Sequence, residues 1–182
     1  MALFLENGDP VSVHTLACAG CEIAEHLTRK AGRMPFAEHI LANFPDFDEK
    51  RLREIQRQYC NSFKHATSRG GRERGDRELL NRFTDEVNDH TLHIGWHDYG
   101  LATGALPIEA QAFTAWYYVV YSDKVRPDFD MSGLHQAFPG LTCKSRKDQK
   151  RMLGEVIATY RQDAEIMTDA ATENIPLVLS AF

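Results

Sequence analysis

Apolar side chains recur three and four residues apart along most of the chain, and nowhere do they alternate in and out. That period suits helices, which gather residues i, i+3, i+4 and i+7 on one side, and excludes half-buried strands, whose faces repeat every second residue. Val13, Leu16, Ala17, Gly20, Ile23, Ala24 and Leu27 give the clearest stripe. Asp9-Pro10 opens that segment with a carboxylate for the free amides of a first turn and a proline that needs no N–H there. Gly32 closes it, so a helix is predicted from Pro10 to about Ala31.

The same reasoning places further helices over 36–43, from Pro45-Asp46 to about Ala66, from Asp76 to about Thr103, from Ile108 to about Ser122, and from Ser145 to about Thr172. Leu52, Ile55, Tyr59 and Phe63 form the expected inner face of the helix ending at Ala66. Leu79, Phe83, Val87, His90, Ile94, His97 and Leu101 form that of the helix over 76–103, with Gly95 and Gly100 as weak points. The segment 108–122 is apolar nearly all round, which suits a central position or an oligomer face. Residues 124–143, interrupted by Pro127, Gly133, Pro139 and Gly140, read as irregular with one helical turn near Leu134. The expectation is an all-α, single-domain bundle of five or six helices over residues 1–182. A flexible basic loop over 67–75 and an apolar tail over 174–182, docked on the body or on a second copy, complete it.

A chain of 182 residues that is 43% hydrophobic and 26% charged can bury a core without disulfides or metal. Its net charge of −5 argues against a dedicated nucleic-acid binder, which carries a basic balance. No apolar run reaches the roughly 20 residues of a membrane span, and the first residues lack a signal peptide's basic start and long apolar core. Four cysteines, two of them as Cys18-x-x-Cys21, make no secreted disulfide framework. A reduced, cytoplasmic setting and a homo-oligomer, a homodimer through 108–122 or the tail, are expected.

Site chemistry is densest in the segment 85–98. Glu86, His90, His93 and His97 sit three and four apart, a spacing at which neighbouring pairs grip one ion. Imidazole and carboxylate suit zinc, iron or manganese. The row covers about 16 Å of helix axis, so one ion can take only an adjacent pair and needs donors from another helix. A second stripe, His14, Cys18, Cys21 and Glu25, is the candidate source, with Cys18 and Cys21 as the metal ligands. The plainer alternatives are core-edge histidines bonded to carboxylates, and a second packing face in which the cysteines serve as small apolar residues.

A third cluster joins Arg57, Asn61, Lys64 and His65 to the loop arginines Arg69, Arg72, Arg74 and Arg77. Histidine can move a proton while arginine holds phosphate charge. Arg57, Asn61 and His65 resemble the Arg-polar-x-x-x-His motif of HEPN-type helical ribonucleases and toxins. That resemblance implies a catalytic role for these three and contact with RNA. The plainer alternative is a solvated helix face.

Three segments, Asp9-Pro10-Val11-Ser12-Val13-His14-Thr15-Leu16, Asn61-Ser62-Phe63-Lys64-His65-Ala66 and Leu101-Ala102-Thr103-Gly104-Ala105-Leu106-Pro107, with Phe113 and Trp116, resemble a set of uncharacterised bacterial proteins of similar length. This implies a bacterial origin. The leading functional expectation is a helical-bundle protein that binds a divalent metal through the histidines of 86–97. A ribonuclease-like centre at Arg57, Asn61 and His65 is the alternative, and a non-catalytic oligomeric interaction module the third.

Overall fold

The computed structural model describes residues 1–65, 67, 71 and 75–174. The loop arginines Arg69, Arg72 and Arg74, the expected helix end Ala66, and the tail Ile175–Phe182 lie outside them.

The described residues are mostly helical. In chain order the helices are α1 (Ala2–Leu5), α2 (Pro10–Lys30), α3 (Phe36–Asn43), α4 (Glu49–Lys64), α5 (Arg77–Leu80), α6 (Val87–Thr103), α7 (Ile108–Val120), α8 (Ser132–Ala137), α9 (Arg146–Tyr160) and α10 (Ala164–Thr168). An all-α reading holds, but the described helices number ten rather than five or six.

Two expected long helices are each broken in two. The segment 76–103 divides into α5 and α6, because Phe83 leaves the helix to enter an aromatic cluster, 4.9 Å from the Phe63 ring and 5.1 Å from Tyr59. Glu86 is thereby left just outside α6. The segment 145–172 divides at Asp163, whose carboxylate accepts from the backbone N–H groups of Glu165 and Ile166 and so starts α10 afresh. Conversely, Gly100 does not end α6, which runs on to Thr103. Helix α4 starts at Glu49 rather than Pro45, because Asp48 is the residue that accepts from the Arg51 N–H, at 2.6 Å. A two-residue parallel ladder, Leu106 beside Thr172 and Pro107 beside Glu173, is too short to leave an alternating pattern.

The chain divides into two compact units. One comprises Met1–Gly8 with the chain from Thr103 onward. At its centre is α7, whose Phe113 and Trp116 are fully buried. Phe4 of α1 packs edge-on to both, with ring centroids at 5.6 and 6.0 Å. From α9, the Lys150 ammonium lies 4.4 Å from the Phe4 ring centre, and Trp116 Nε1 donates to the Gln149 carbonyl. Glu109 is buried and paired with Arg161.

The other unit is Asp9–Ala102, and it carries every candidate site residue. Asp9 accepts from the Ser12 N–H at 2.8 Å and caps α2, with Pro10 at the first helical position as predicted. The buried side of α2 is only in part the expected one. His14, Cys18 and Thr28 are inside with Val13 and Ala24, whereas Leu16 is 63% and Ile23 62% exposed. The polar stripe of α2 turns inward and the expected apolar stripe is split: Val13 and Ala24 stay buried, while Leu16, Ile23 and Leu27 face out.

Candidate functional site: a cavity walled by α2, α4 and α6

The polar inner face of α2 lines a cavity of about 380 Å³. His14, Cys18, Cys21, Glu22 and Glu25 come from α2. Arg53, Ile55, Arg57 and Tyr59 come from α4; Val87, His90, Thr91, Ile94 and Asp98 from α6; and Ala37 from α3. The volume falls within the roughly 300–1,000 Å³ usual for small-molecule sites.

Its deep end is a fixed hydrogen-bond chain. Asn88 Nδ2 donates to the Pro10 carbonyl at 3.0 Å, so its Oδ1 faces the His14 Nδ1, also at 3.0 Å. An amide oxygen only accepts, so Nδ1 carries the proton and Nε2 keeps a lone pair. The Cys18 Sγ lies 3.4 Å from that Nε2 and donates to it. The rings of Tyr59, Phe63 and Phe83 stand edge-on around His14 at 5.9, 5.8 and 5.4 Å. Burial lowers the His14 pKa, with nearby Lys64 acting in the same sense and Asn88 opposing. The imidazole is therefore neutral at physiological pH.

The thiols are held protonated. Burial raises Cys18 well above the usual range, with Cys60 and Cys21 reinforcing it. Burial likewise pushes Cys21 up to about 12, and the Asp98 and Glu25 carboxylates add to the effect. Cys21 Sγ donates to the Thr91 carbonyl at 3.1 Å, which joins α2 to α6. A nucleophilic cysteine needs the opposite environment, one that favours thiolate.

The charged wall is internally neutralised. Burial disfavours the Glu25 anion, but hydrogen bonds and charge from Arg53 and Arg29 outweigh it and hold the carboxyl below the usual range. Arg53 reaches Glu25 with both terminal nitrogens, one at 2.7 Å, and Arg29 meets it at 2.6 Å. Arg57 lies 3.6 Å from Glu22. The buried Asp98 accepts from the Phe36 N–H at 2.7 Å and thereby anchors the start of α3.

The residues singled out from sequence are thus only partly gathered. Cys18, Cys21 and His90 line the cavity, with His14 and Glu25 of the same stripe, so the helices bearing the two stripes are neighbours. His93 and His97 turn instead toward α3, where Phe36 lies 6.4 and 5.3 Å from their rings and His39 lies 6.2 Å from His97. Among the described residues, no three His, Cys, Asp or Glu side chains are grouped to hold a metal ion. Arg57 lines the cavity, whereas His65, the residue that ends α4, is exposed. His65 follows Arg57 by eight residues, a rise of about 12 Å along the helix, and only Arg57 of the two is in the cavity lining.

Asn88, Thr91, Arg53 and Asp98 escaped the sequence reading. Glu25 with Arg53 had no local signature, because the partners are far apart in sequence. Asn88 offered a hint, an amide two residues before His90 in the segment richest in site chemistry.

No family model, curated protein or solved structure matches the chain. Among the described residues, no helix is long and apolar enough to cross a membrane.

Proposed function

We propose that the cavity of the Asp9–Ala102 unit is a binding site for a small, uncharged, largely apolar molecule with a hydrogen-bonding group at one end. One observation carries this reading: the cavity's charged residues already have partners, Asp98 in the Phe36 N–H and the others in charges of opposite sign. Glu25 is met by Arg53 and Arg29, and Glu22 by Arg57. A charged ligand would have to break those pairs, whereas a neutral one meets Ile55, Tyr59, Val87 and Ile94 and gains the area they hide from water.

The test uses the neutral fluorophore N-phenyl-1-naphthylamine, titrated into the full chain. Saturable, equimolar binding with enhanced emission is expected. Ile94→Trp, which fills the cavity, abolishes it; Ile55→Trp, at a position 40% exposed, weakens it while the helical circular-dichroism signal stays intact. Non-saturable binding, or saturation unchanged in both variants, disposes of the reading.

A second reading has its own support. Cys18, Cys21 and His90 line one cavity, a donor set that suits a divalent ion such as zinc, iron or manganese. Such an ion would have to draw the donors together and displace the thiol protons, as metal sites do. Elemental analysis of untagged protein tests it. Equimolar metal lost in Cys18→Ala with His90→Ala supports it, and trace metal insensitive to both changes removes it.

A further inference from the structure

The outward face of α2 is the strongest unexplained feature outside the cavity. Leu16 and Ile23 are 63% and 62% exposed, and Leu27 is 39% exposed on the same side. Single exposed aliphatics are ordinary, but three aligned on one helix form a seam. Gly20 lies between them, and a Cβ there would meet nothing within 4 Å.

The spacing of residues along this seam is symmetric about its midpoint. Consider two copies of α2 crossing antiparallel about a point between Ala19 and Gly20. Leu16 then faces Ile23 of the other copy, and Ala19 faces Gly20, where the absence of bulk lets the axes approach. Ser12 faces Leu27. At each end the exposed Asp9 carboxylate meets the exposed Lys30 ammonium, twice by symmetry. A two-fold interface demands this self-complementarity, in which residue i meets j and j meets i. A parallel pairing would instead set Asp9 against Asp9 and Lys30 against Lys30. Asp9, Leu16, Ile23 and Lys30 recur every seven residues, with Ser12, Ala19 and His26 between them, which is the spacing of a helix-pair seam.

We propose that this face of α2 binds a second copy of the chain, forming an antiparallel, two-fold helix pair centred between Ala19 and Gly20. The pairing is independent of the cavity, which lies on the opposite side of the helix. Apolar burial at Leu16, Ile23 and Leu27 drives it, and the terminal ion pairs set its direction.

Sedimentation velocity over a micromolar concentration series tests the association. The full chain is expected to run as a dimer that dissociates on dilution. Leu16→Glu with Ile23→Glu is expected to raise the dimer Kd by about a hundredfold or more, because each glutamate would be buried without a partner. Both positions are solvent-exposed in the single chain, so folding, followed by circular dichroism, should not change. Orientation is read by disulfide trapping in a Cys143→Ser background. Leu16→Cys mixed with Ile23→Cys should cross-link as a heterodimer, faster than either protein alone. A monomer at every concentration, a dimer insensitive to the double glutamate change, or self-linked Leu16→Cys as the main product would each overturn the proposal.

Discussion

Gly95 of α6 stands against Cys21 of α2: a Cβ added to Gly95 would lie 3.0 Å from the Cys21 Sγ. The sulfur cannot easily yield, because it donates to the Thr91 carbonyl and its own backbone follows within 3.9 Å of the same point.

The first prediction follows from that crossing. In a helix, Gly→Ala gains about 1 kcal/mol of propensity, and an overpacked contact costs about 1–3 kcal/mol. Gly95→Ala should therefore lower stability in the native background. In a Cys21→Ala background, where the obstruction is gone, it should raise stability by about 1 kcal/mol. Urea unfolding of the four proteins measures both values. Equal effects in the two backgrounds would mean that the thiol is not the obstacle.

Asn88 supplies the second. Its side chain serves His14 on one side and the Pro10 carbonyl on the other, and it is fully buried. Asn88→Ala orphans the buried His14 ring N–H and takes the side-chain donor from the Pro10 carbonyl, which keeps its bond within α2, and should cost about 1–3 kcal/mol in chemical denaturation. Asn88→Leu combined with His14→Phe removes the donor as well as the acceptor and should cost less than Asn88→Ala alone. The reverse ranking would deny the hydrogen bond its role.

Acid sensitivity is the third. Burial drives the His93 pKa down to about 4, and the neighbouring His97 and His90 add to the effect. An unfolded histidine titrates near 6.5. Between those values the unfolded chain holds more protons than the folded one, so stability rises with pH across the window and is lost on acidification. The His93 share is about 3 kcal/mol between pH 7 and pH 4, and the buried His14 acts in the same direction. Thermal unfolding at pH 7 and pH 4.5, compared with His93→Gln, should show a shallower pH slope in the variant. An unchanged slope would place the acid response elsewhere.

Thiol accessibility is the fourth. Cys143 is exposed, Cys18 and Cys60 are buried, and Cys21 is half-buried with a raised pKa. Reaction of the native protein with Ellman's reagent at pH 8 should release one equivalent of chromophore rapidly. The other three should follow only on unfolding, and Cys143→Ser should erase the fast phase. Rapid labelling of Cys18 or Cys21 would show the cavity thiols to be far more open and more acidic than their surroundings imply.

The helical character of the chain was legible because it rests on local chemistry. Asp9-Pro10 capped α2, Phe36 began α3, and Ser145 capped α9, each within a few residues of its own signal. The inward side of α2 was not legible. Hydrophobicity favours Leu16, Ile23 and Leu27, but partners remote in sequence decide which side turns in: Asn88 for His14, Thr91 for Cys21 and Arg53 for Glu25. The histidine row misled for a related reason. Helical spacing aligns His90 with His97, yet α3 draws His97 away from the cavity that His90 lines. Nor could periodicity tell that Phe83 gains more by joining Tyr59 and Phe63 than by extending a helix.

The Asn88–His14–Cys18 relay has a consequence for selectivity. With one imidazole nitrogen pinned as proton bearer, the other is permanently a proton taker, and the thiol that satisfies it is a weak giver. A guest bringing a hydroxyl or amide N–H could outbid the sulfur for that lone pair; a guest bringing only a carbonyl could not, because that nitrogen has no proton to offer. The cavity would thus tell alcohols from ketones of the same shape by the direction in which a single proton points.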